Sequence, residues 1–589
     1  MTTTSKGPEA ASAEATGLSR PPEVAYYSME IAIADAIPSF SGGLGVLAGD
    51  HLRAAADRGL PLVAVTLLYR HGFFHQSVDA SGKQSADPVD WLPDDLLEAL
   101  PQRIELTVSG RTVVVRPWRL VITGVGGHTV PVYMLDTNLP ENVQEDRDIT
   151  DRLYVGTPAK RLAQEAVLGI GGPLMIEALG LHSIRTHHMN EGHGSLVGLT
   201  QLAQETTGSV TSVGGGLAAA LHGARSSEVD TVRHRCVFTT HTPVPAGHDR
   251  FPPEVVDEVL GNEVGAELAR LNLVEVDGTL NMTLLGMSLS HFVNAVSQRH
   301  RTVSQAMFPS ISVKAVTNGI HTSTWASPSM AALFDRHLPG WRVSSTELHY
   351  VGMIPTADIR TAHRRSKVAL LEEIRERVGV NLDVDVFTIG IARRFAAYKR
   401  NDLLLSDPER LKKIAKSAGP LQIVYSGKAH PQDQDGQALI ANVVRAADRA
   451  GVPVVFLPDY GMTLAGLLVA GTDIWLNTPE PPNEASGTSG MKAALNGVPS
   501  VSTLDGWWLE GHIEGVTGWG IGRDSVKASD VKRHADDLYE VLESAVMPLF
   551  YQDTDAFDGV RRCSIMLNAS FFSADRMVDE YARRAYKVL

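Results

Sequence analysis

Short apolar runs recur along this chain from Val24 onward, separated by stretches whose apolar residues fall at helical spacing. LPLVAVTLLY (60–69), TVPVYMLD (129–136), RCVFTTH (235–241), SVKAVTN (312–318), DVFTIGIA (385–392), LQIVYSG (421–427), VPVVFLP (452–458) and DIWLN (473–477) read as strands. Several are Val- and Ile-rich at successive positions, the pattern of strands covered on both faces within a parallel sheet. Intervening segments such as RSKVALLEEIRERVG (365–379) read as amphipathic helices. Repeated βα units predict an α/β protein.

A single hydrophobic core stops growing at roughly 250 to 300 residues, so 589 residues imply two lobes. The best boundary lies near residues 340–355, before a long charged helix at 360–379. This gives an N-terminal lobe over 23–345 and a C-terminal lobe over 346–589. Residues 1–22, rich in Ser, Thr, Ala, Glu and Pro without an apolar core segment, read as a disordered tail rather than a signal peptide. The small-residue-rich stretch 206–230 reads as a surface excursion.

Charge narrows the function. With 67 acidic against 53 basic side chains the formal charge is −14, a field that repels nucleic acid and anionic membranes. An anionic substrate must then be held by a local basic cluster. Cys236 and Cys563 are too few for a disulfide framework and fit a reducing compartment, with cytoplasm the default. No run reaches the ~18 apolar residues of a membrane helix.

Four segments carry candidate chemistry. In NEASGTSGMKAALNG (483–497) a glycine-punctuated turn opens a helix, which aims backbone N–H groups at an anion, with Lys492 expected in the first turn. Such a lysine serves either as a counter-charge or as an imine-forming amine, and the Walker pattern is not matched. ARRFAAYKR (392–400) sets Arg393, Arg394, Lys399 and Arg400 at a strand-to-helix junction, which reads as a phosphate clamp or a solvated basic face. SFSGGLGVLAGD (39–50) lets backbone approach a ligand, or simply turns. Glu191, His193 and His241, from HHMNEGHGS and FTTHTPVPAGHDRF, suit sugar hydroxyls better than a metal, since no HExxH spacing is present.

Together these phrases, with TNGIHTSTW (317–325), SGKAHPQD (426–433) and LDGWWLEG (504–511), resemble the α-glucan (glycogen and maltodextrin) phosphorylase family, most closely its short bacterial and archaeal branch. The resemblance runs from about Ala25 to Gly522. It implies two Rossmann-like lobes around a central cleft, as in GT-B glycosyltransferases, and a cytoplasmic enzyme releasing glucose 1-phosphate from an α-1,4-glucan and inorganic phosphate. The cofactor implied is pyridoxal 5′-phosphate on Lys492 as a Schiff base, its phosphate relaying a proton through the substrate phosphate. A homo-oligomer is compatible with the family, and no metal is implied.

Carried over by motif, Arg394 and Lys399 would bind phosphate with backbone help from Gly43. Arg393, Thr488 and Ser489 would hold the cofactor phosphate. Glu484, Ser486, Gly487 and Asn318 would contact the reacting glucose, as would His241 through its carbonyl and side chain. Trp325 and Tyr460 match aromatic positions around the cofactor, and Tyr398 one beside the sugar. The chain departs from the family at Gly461, where animal and many bacterial members carry a cation. Three rivals remain: a nucleotide-sugar glucosyltransferase leaving Lys492 free, a glycoside hydrolase using Glu191 and Glu484 as a carboxylate pair, and a non-catalytic glucan-binding protein.

Overall fold

The computed structural model describes residues 20–154, 156–208, 216–522 and 530–588. Residues 1–19 of the expected tail, and 209–215 within the expected excursion, lie outside them. The chain is α/β, built on two large sheets. In the first, the strands Lys314–Ala315, Phe292–Ala295, Cys236–Thr239, Thr186–Asn190, Val24–Tyr27, Leu62–Leu67 and Thr129–Asp136 lie side by side and parallel. Arg111–Thr123 then adds antiparallel to Thr129–Asp136 and itself pairs with Ile104–Val108 and Glu98–Ala99. The second sheet runs Val454–Leu457, Leu421–Ser426, Phe387–Ala392, Ile474–Asn477, Ser500–Thr503 and Gly518–Ile521, parallel throughout.

The parallel part of each sheet has the doubly wound order: the first three strands run outward one way and the rest the other. Such sheets bind ligands beyond the carboxyl ends of their strands, where the order reverses. In the first sheet the reversal lies between Val24–Tyr27 and Thr186–Asn190, in the second between Phe387–Ala392 and Ile474–Asn477. These strands leave no face to solvent: Leu62–Leu67, Phe387–Ala392, Leu421–Ser426 and Ile474–Asn477 are buried at every position, as their uninterrupted apolar pattern predicts.

Some strands escape the apolar pattern. THHMN (186–190) is a fully buried central strand despite two histidines, whose side chains find partners: His188 bonds Tyr586 and Thr239, and His187 bonds Tyr27. The stretch 340–355 is packed rather than a loose linker, with Ser345–Met353 a 3-10 helix and Trp341, Leu348 and Val351 buried. The described part of 206–230 forms the helices Leu217–Leu221 and Ser226–Arg233, which bury Leu217, Leu221, Val229 and Val232. The last helix, Ala574–Tyr581, returns to the first sheet, where Tyr581 and Tyr586 pack with Tyr26 and Val237.

The carboxyl ends of the two sheets meet. Ser297, after Phe292–Ala295, donates to the Ala485 carbonyl at 2.7 Å, and Thr317 donates to Glu510 at 2.7 Å. Elsewhere the hairpin His75–Val78/Gln84–Asp87 reaches the second sheet, where Gln76 and Gln84 donate to the carbonyls of Gly427 and Ala429.

Behind the second sheet, Asp473 ties three elements together. It accepts from Lys367 at 2.6 Å, from Arg561 at 2.8 Å, from His363 at 3.1 Å and from the Thr388 N–H at 2.9 Å, all buried. Those donors hold its carboxyl far below the usual range against the opposing cost of burial. Asp473→Ala strands two buried cations and is expected to cost about 3 to 5 kcal/mol, read as a lowered midpoint in urea denaturation. A loss under 1 kcal/mol would refute the assignment.

Candidate active site

The strand Phe387–Ala392 ends at the second sheet's reversal, and the next residue, Arg393, is buried there. Both terminal nitrogens of its guanidinium lack hydrogen-bond partners. Desolvation lowers its pKa to about 10, partly offset by the Glu484 charge, whose carboxylate lies 3.9 Å away. The adjacent strand Ile474–Asn477 leads to Glu484, which accepts from Lys399 Nζ at 2.5 Å. Lys399 also sits over the Tyr398 ring, 4.8 Å from its centroid. Arg394 is solvent-exposed.

No α-helix begins directly after Phe387–Ala392; a short 3-10 turn, Ala397–Lys399, intervenes. Its left-handed end, Arg400 at φ 48°, turns that guanidinium away to the carbonyls of Thr478 and Pro479 and to His534. Of the four clustered cations, Arg400 is therefore a structural tie, while Arg393, Lys399 and the exposed Arg394 remain candidates for an anion.

Gly487, at φ 93°, precedes the helix Thr488–Leu495. A left-handed conformation suits glycine, and a Cβ on Gly490 would stand 2.8 Å from Trp507. Lys492 is the fifth helical residue, one turn deeper than expected, because the helix starts at Thr488 and not further along the turn. Its amine is buried 3.6 Å from the centroid of the Trp325 ring. Desolvation, opposed by the Asp50 charge, lowers its pKa to about 8. Ser489 accepts from the Trp475 indole at 3.1 Å, and Tyr460 packs in the same apolar cluster as Trp325.

The first sheet supplies the opposite side. Glu30 accepts from the N–H groups of Ser41 at 2.6 Å and Gly42 at 3.3 Å, and from Tyr154 at 2.9 Å, so a carboxylate shapes the glycine loop. Gly43 starts the helix Gly43–Asp57, and a Cβ there would meet nothing within 4 Å. Glu191, at φ 84°, accepts from the N–H of Gly192 at 2.9 Å, from the N–H of His241 at 2.6 Å and from Thr242 at 3.0 Å. Its carboxylate thus positions His241, a role additional to the sugar contact expected of Glu191. His241 Nε2 lies 2.7 Å from Asn190 Oδ1, which only accepts, so the imidazole carries its proton on Nε2 and leaves Nδ1 free to accept. Burial lowers the His241 pKa to about 3, which keeps it neutral.

Asn318 Oδ1 and Ser486 Oγ are buried without partners, near the Ser297–Ala485 contact between the sheets. Buried polar atoms of this kind mark positions where a polar ligand would be gained. Two further carboxylates stand within SFSGGLGVLAGD and LDGWWLEG without a local pattern that marks them. Asp50 is a buried carboxylate on the helix Gly43–Asp57, and Asp505 in LDGWW accepts from the Glu484 N–H at 2.8 Å while its Oδ1 has no partner. Among the described residues no group of three or more His, Cys, Asp or Glu is placed to hold a metal.

The chain is similar in sequence to known proteins. The family profile described as carbohydrate phosphorylase matches residues 234–518. The chain is 37% identical to the maltodextrin phosphorylase of Thermococcus litoralis, over 96% of this chain and 70% of the relative. It is 37% identical to a glycogen phosphorylase of Mycobacterium tuberculosis, over 96% and 71%, and 33% identical to that of Aquifex aeolicus, over 96% and 86%.

Burial, reinforced by the Glu484 charge, pushes the Asp505 carboxyl up to about 6. Its folded pKa exceeds the unfolded one, so its proton stabilises the fold below about pH 4 and that contribution is lost as pH rises through about 6. Asp505→Asn removes this loss. Relative to the unaltered protein it is expected to gain on the order of 2 kcal/mol between about pH 4.5 and about pH 7.5 in urea titrations. Parallel pH responses of the two proteins would contradict the raised pKa.

Proposed function

The chain belongs to the carbohydrate phosphorylase family, and from that premise we propose that it is an α-glucan phosphorylase releasing glucose 1-phosphate from α-1,4-linked chains with inorganic phosphate. The observation that carries this reading is Arg393: a buried guanidinium with both terminal nitrogens unspent, in a protein of net charge −14, at the reversal point of a parallel sheet. An anion answers that arrangement, and a buried amine with its pKa near 8 one loop away answers an aldehyde.

Those residues fit pyridoxal 5′-phosphate. Lys492 would hold it, with Trp325 and Tyr460 packed about it and Arg393 and the N–H groups at Thr488 and Ser489 facing its phosphate. When bound, the cofactor supplies a phosphate able to hand a proton to the substrate phosphate. The two lobes, 23–345 and 346–589 with the last helix returning to the first, would enclose a central cleft of GT-B type.

Within it, Lys399 and Arg394 bind inorganic phosphate, and the open backbone at Gly43 approaches it from the other lobe. Glu484 exchanges part of its bond with Lys399 for a glucose hydroxyl as the anion takes over the cation. Ser486, Gly487 and Asn318 orient further hydroxyls, and Tyr398 borders the sugar. His241, neutral and fixed by Glu191 and Asn190, presents its carbonyl to the sugar as positive charge develops at the anomeric carbon. Dehydration by the closing lobes strengthens each of these contacts.

The purified protein is expected to absorb in the near ultraviolet as a pyridoxal imine, with borohydride fixing the label on Lys492. Maltodextrin and phosphate should yield glucose 1-phosphate. No pyridoxal after reconstitution, or free glucose as the product, would overturn the reading. Lys399→Ala should raise the KM for phosphate about tenfold to a hundredfold, the worth of one charged hydrogen bond, while cofactor content stays unchanged. An unaltered phosphate dependence would remove Lys399 from this role.

A further inference from the structure

Asp50 lies on the helix Gly43–Asp57 between Gly49 and His51, its side chain almost wholly buried. Both of its carboxylate oxygens stand 2.9 Å from the indole nitrogen of Trp325, which donates to them. On the face of the same indole sits the Lys492 amine, 3.6 Å from the ring centroid. One aromatic ring is thus gripped at its N–H by a carboxylate from the first lobe and at its face by a cation from the second. Asn496, on the lysine's own helical segment, ties the arrangement down by donating to the Trp325 carbonyl at 2.8 Å.

The charges around this group are few. Asp50 is the charged group acting on Lys492, while Lys492, Arg53 and His321 act on Asp50. Arg53 is spent on the carbonyls of Ala32 and Ile33, and His321 bonds Asp57 at 2.7 Å. Tyr460, packed in the same cluster, is kept neutral by burial. Lys492 is therefore the cation whose charge Asp50 can govern.

A buried ammonium tends to lose its proton and a buried carboxylate to gain one, and each makes the other's charge less costly. An indole that donates its N–H to an anion also offers its face more readily to a cation. Resting on the reading of Lys492 as the cofactor lysine, we propose that Asp50, acting through the Trp325 indole, is the positioning residue that sets the protonation state and place of the Lys492 amine for its union with the cofactor aldehyde. To join an aldehyde the ammonium gives up a proton to solvent. The freed lone pair then attacks the carbonyl carbon, and one water leaves as the C=N bond forms, with no change of oxidation state. Asp50 slows the first of these events by favouring the ammonium and holds the amine against the ring until it occurs.

The test uses the full-length apoprotein and pyridoxal 5′-phosphate, following imine absorbance against pH and confirming the label on Lys492 by borohydride reduction and peptide mass. Asp50→Asn keeps an acceptor for the indole and removes the charge. Its pH midpoint for loading is expected to fall by about one unit, which makes loading about fivefold faster near neutral pH. Trp325→Phe keeps a ring face without the N–H and should move the midpoint the same way, which preserves the test if Asp50→Asn does not fold. Reductive methylation of Lys492 with formaldehyde, read by peptide mass, should show the same shift without the cofactor. Coincident midpoints in the variants and the unaltered protein would overturn this proposal alone. Failure of the unaltered protein to take up pyridoxal phosphate at any pH would overturn the cofactor reading together with it.

Discussion

Two cations, Arg393 and Lys399, converge on one carboxylate, Glu484, and the geometry of the junction between the sheets depends on that pairing. A cation taken out of water without a counter-charge costs several kcal/mol, so this cluster can be kept dry only because a carboxylate is delivered to it. Delivery requires the reversal of strand order in the second sheet, which brings the loops after Phe387–Ala392 and Ile474–Asn477 side by side. It also requires Asp505, whose oxygen fixes the Glu484 backbone. The carboxylate leaves Arg393 with two unspent nitrogens. The cluster is therefore neutral enough to fold and still able to accept an anion.

The first sheet solves a matching problem with the same tools. Its reversal point brings together the glycine loop after Val24–Tyr27 and the turn at Glu191, and in both a buried carboxylate accepts backbone N–H groups. Glu30 shapes the approach to Gly43, and Glu191 fixes His241. Backbone and side chains at this junction are thus held in place by buried carboxylates. The hydrolase alternative loses its footing here, since Glu191 already accepts three hydrogen bonds and Glu484 is paired with a lysine.

Much of this was legible in the sequence because parallel strands and glycine turns leave local marks. Each of the eight apolar runs holds a strand with a parallel partner, and the Gly487 turn marked a helix start. Other features depend on partners distant in the chain. Thr186–Asn190 hides as a strand because its histidines are satisfied by Tyr27, Thr239 and Tyr586. Arg400 looked like a ligand cation until its left-handed backbone aimed it at two carbonyls. Asp50 and Asp505 stood in plain view within quoted phrases, but a lone carboxylate acquires meaning only when its neighbours are known. The return of Ala574–Tyr581 to the first sheet leaves no mark in its amphipathic pattern, which requires an apolar surface without naming one.

Gly461, where the resemblance implied a cation, makes room for a residue far away in the chain. The helix Met462–Gly471 begins just after it, and Asp35, from the segment after Val24–Tyr27, accepts from the N–H groups of Met462 at 2.7 Å and Thr463 at 2.8 Å. A Cβ at position 461 would lie 2.7 Å from the Asp35 oxygen that receives the first of these bonds. A side chain here, a cation included, requires that carboxylate to shift. The positive pole of the helix is thus already matched by the Asp35 charge, which caps the helix and joins two segments far apart in the chain. Glycine at 461 leaves room for that contact, and a cation there would set a salt bridge to Asp35 against the two backbone bonds it now accepts. Glycine at 461 and the carboxylate of Asp35 are, on this geometry, matched to each other.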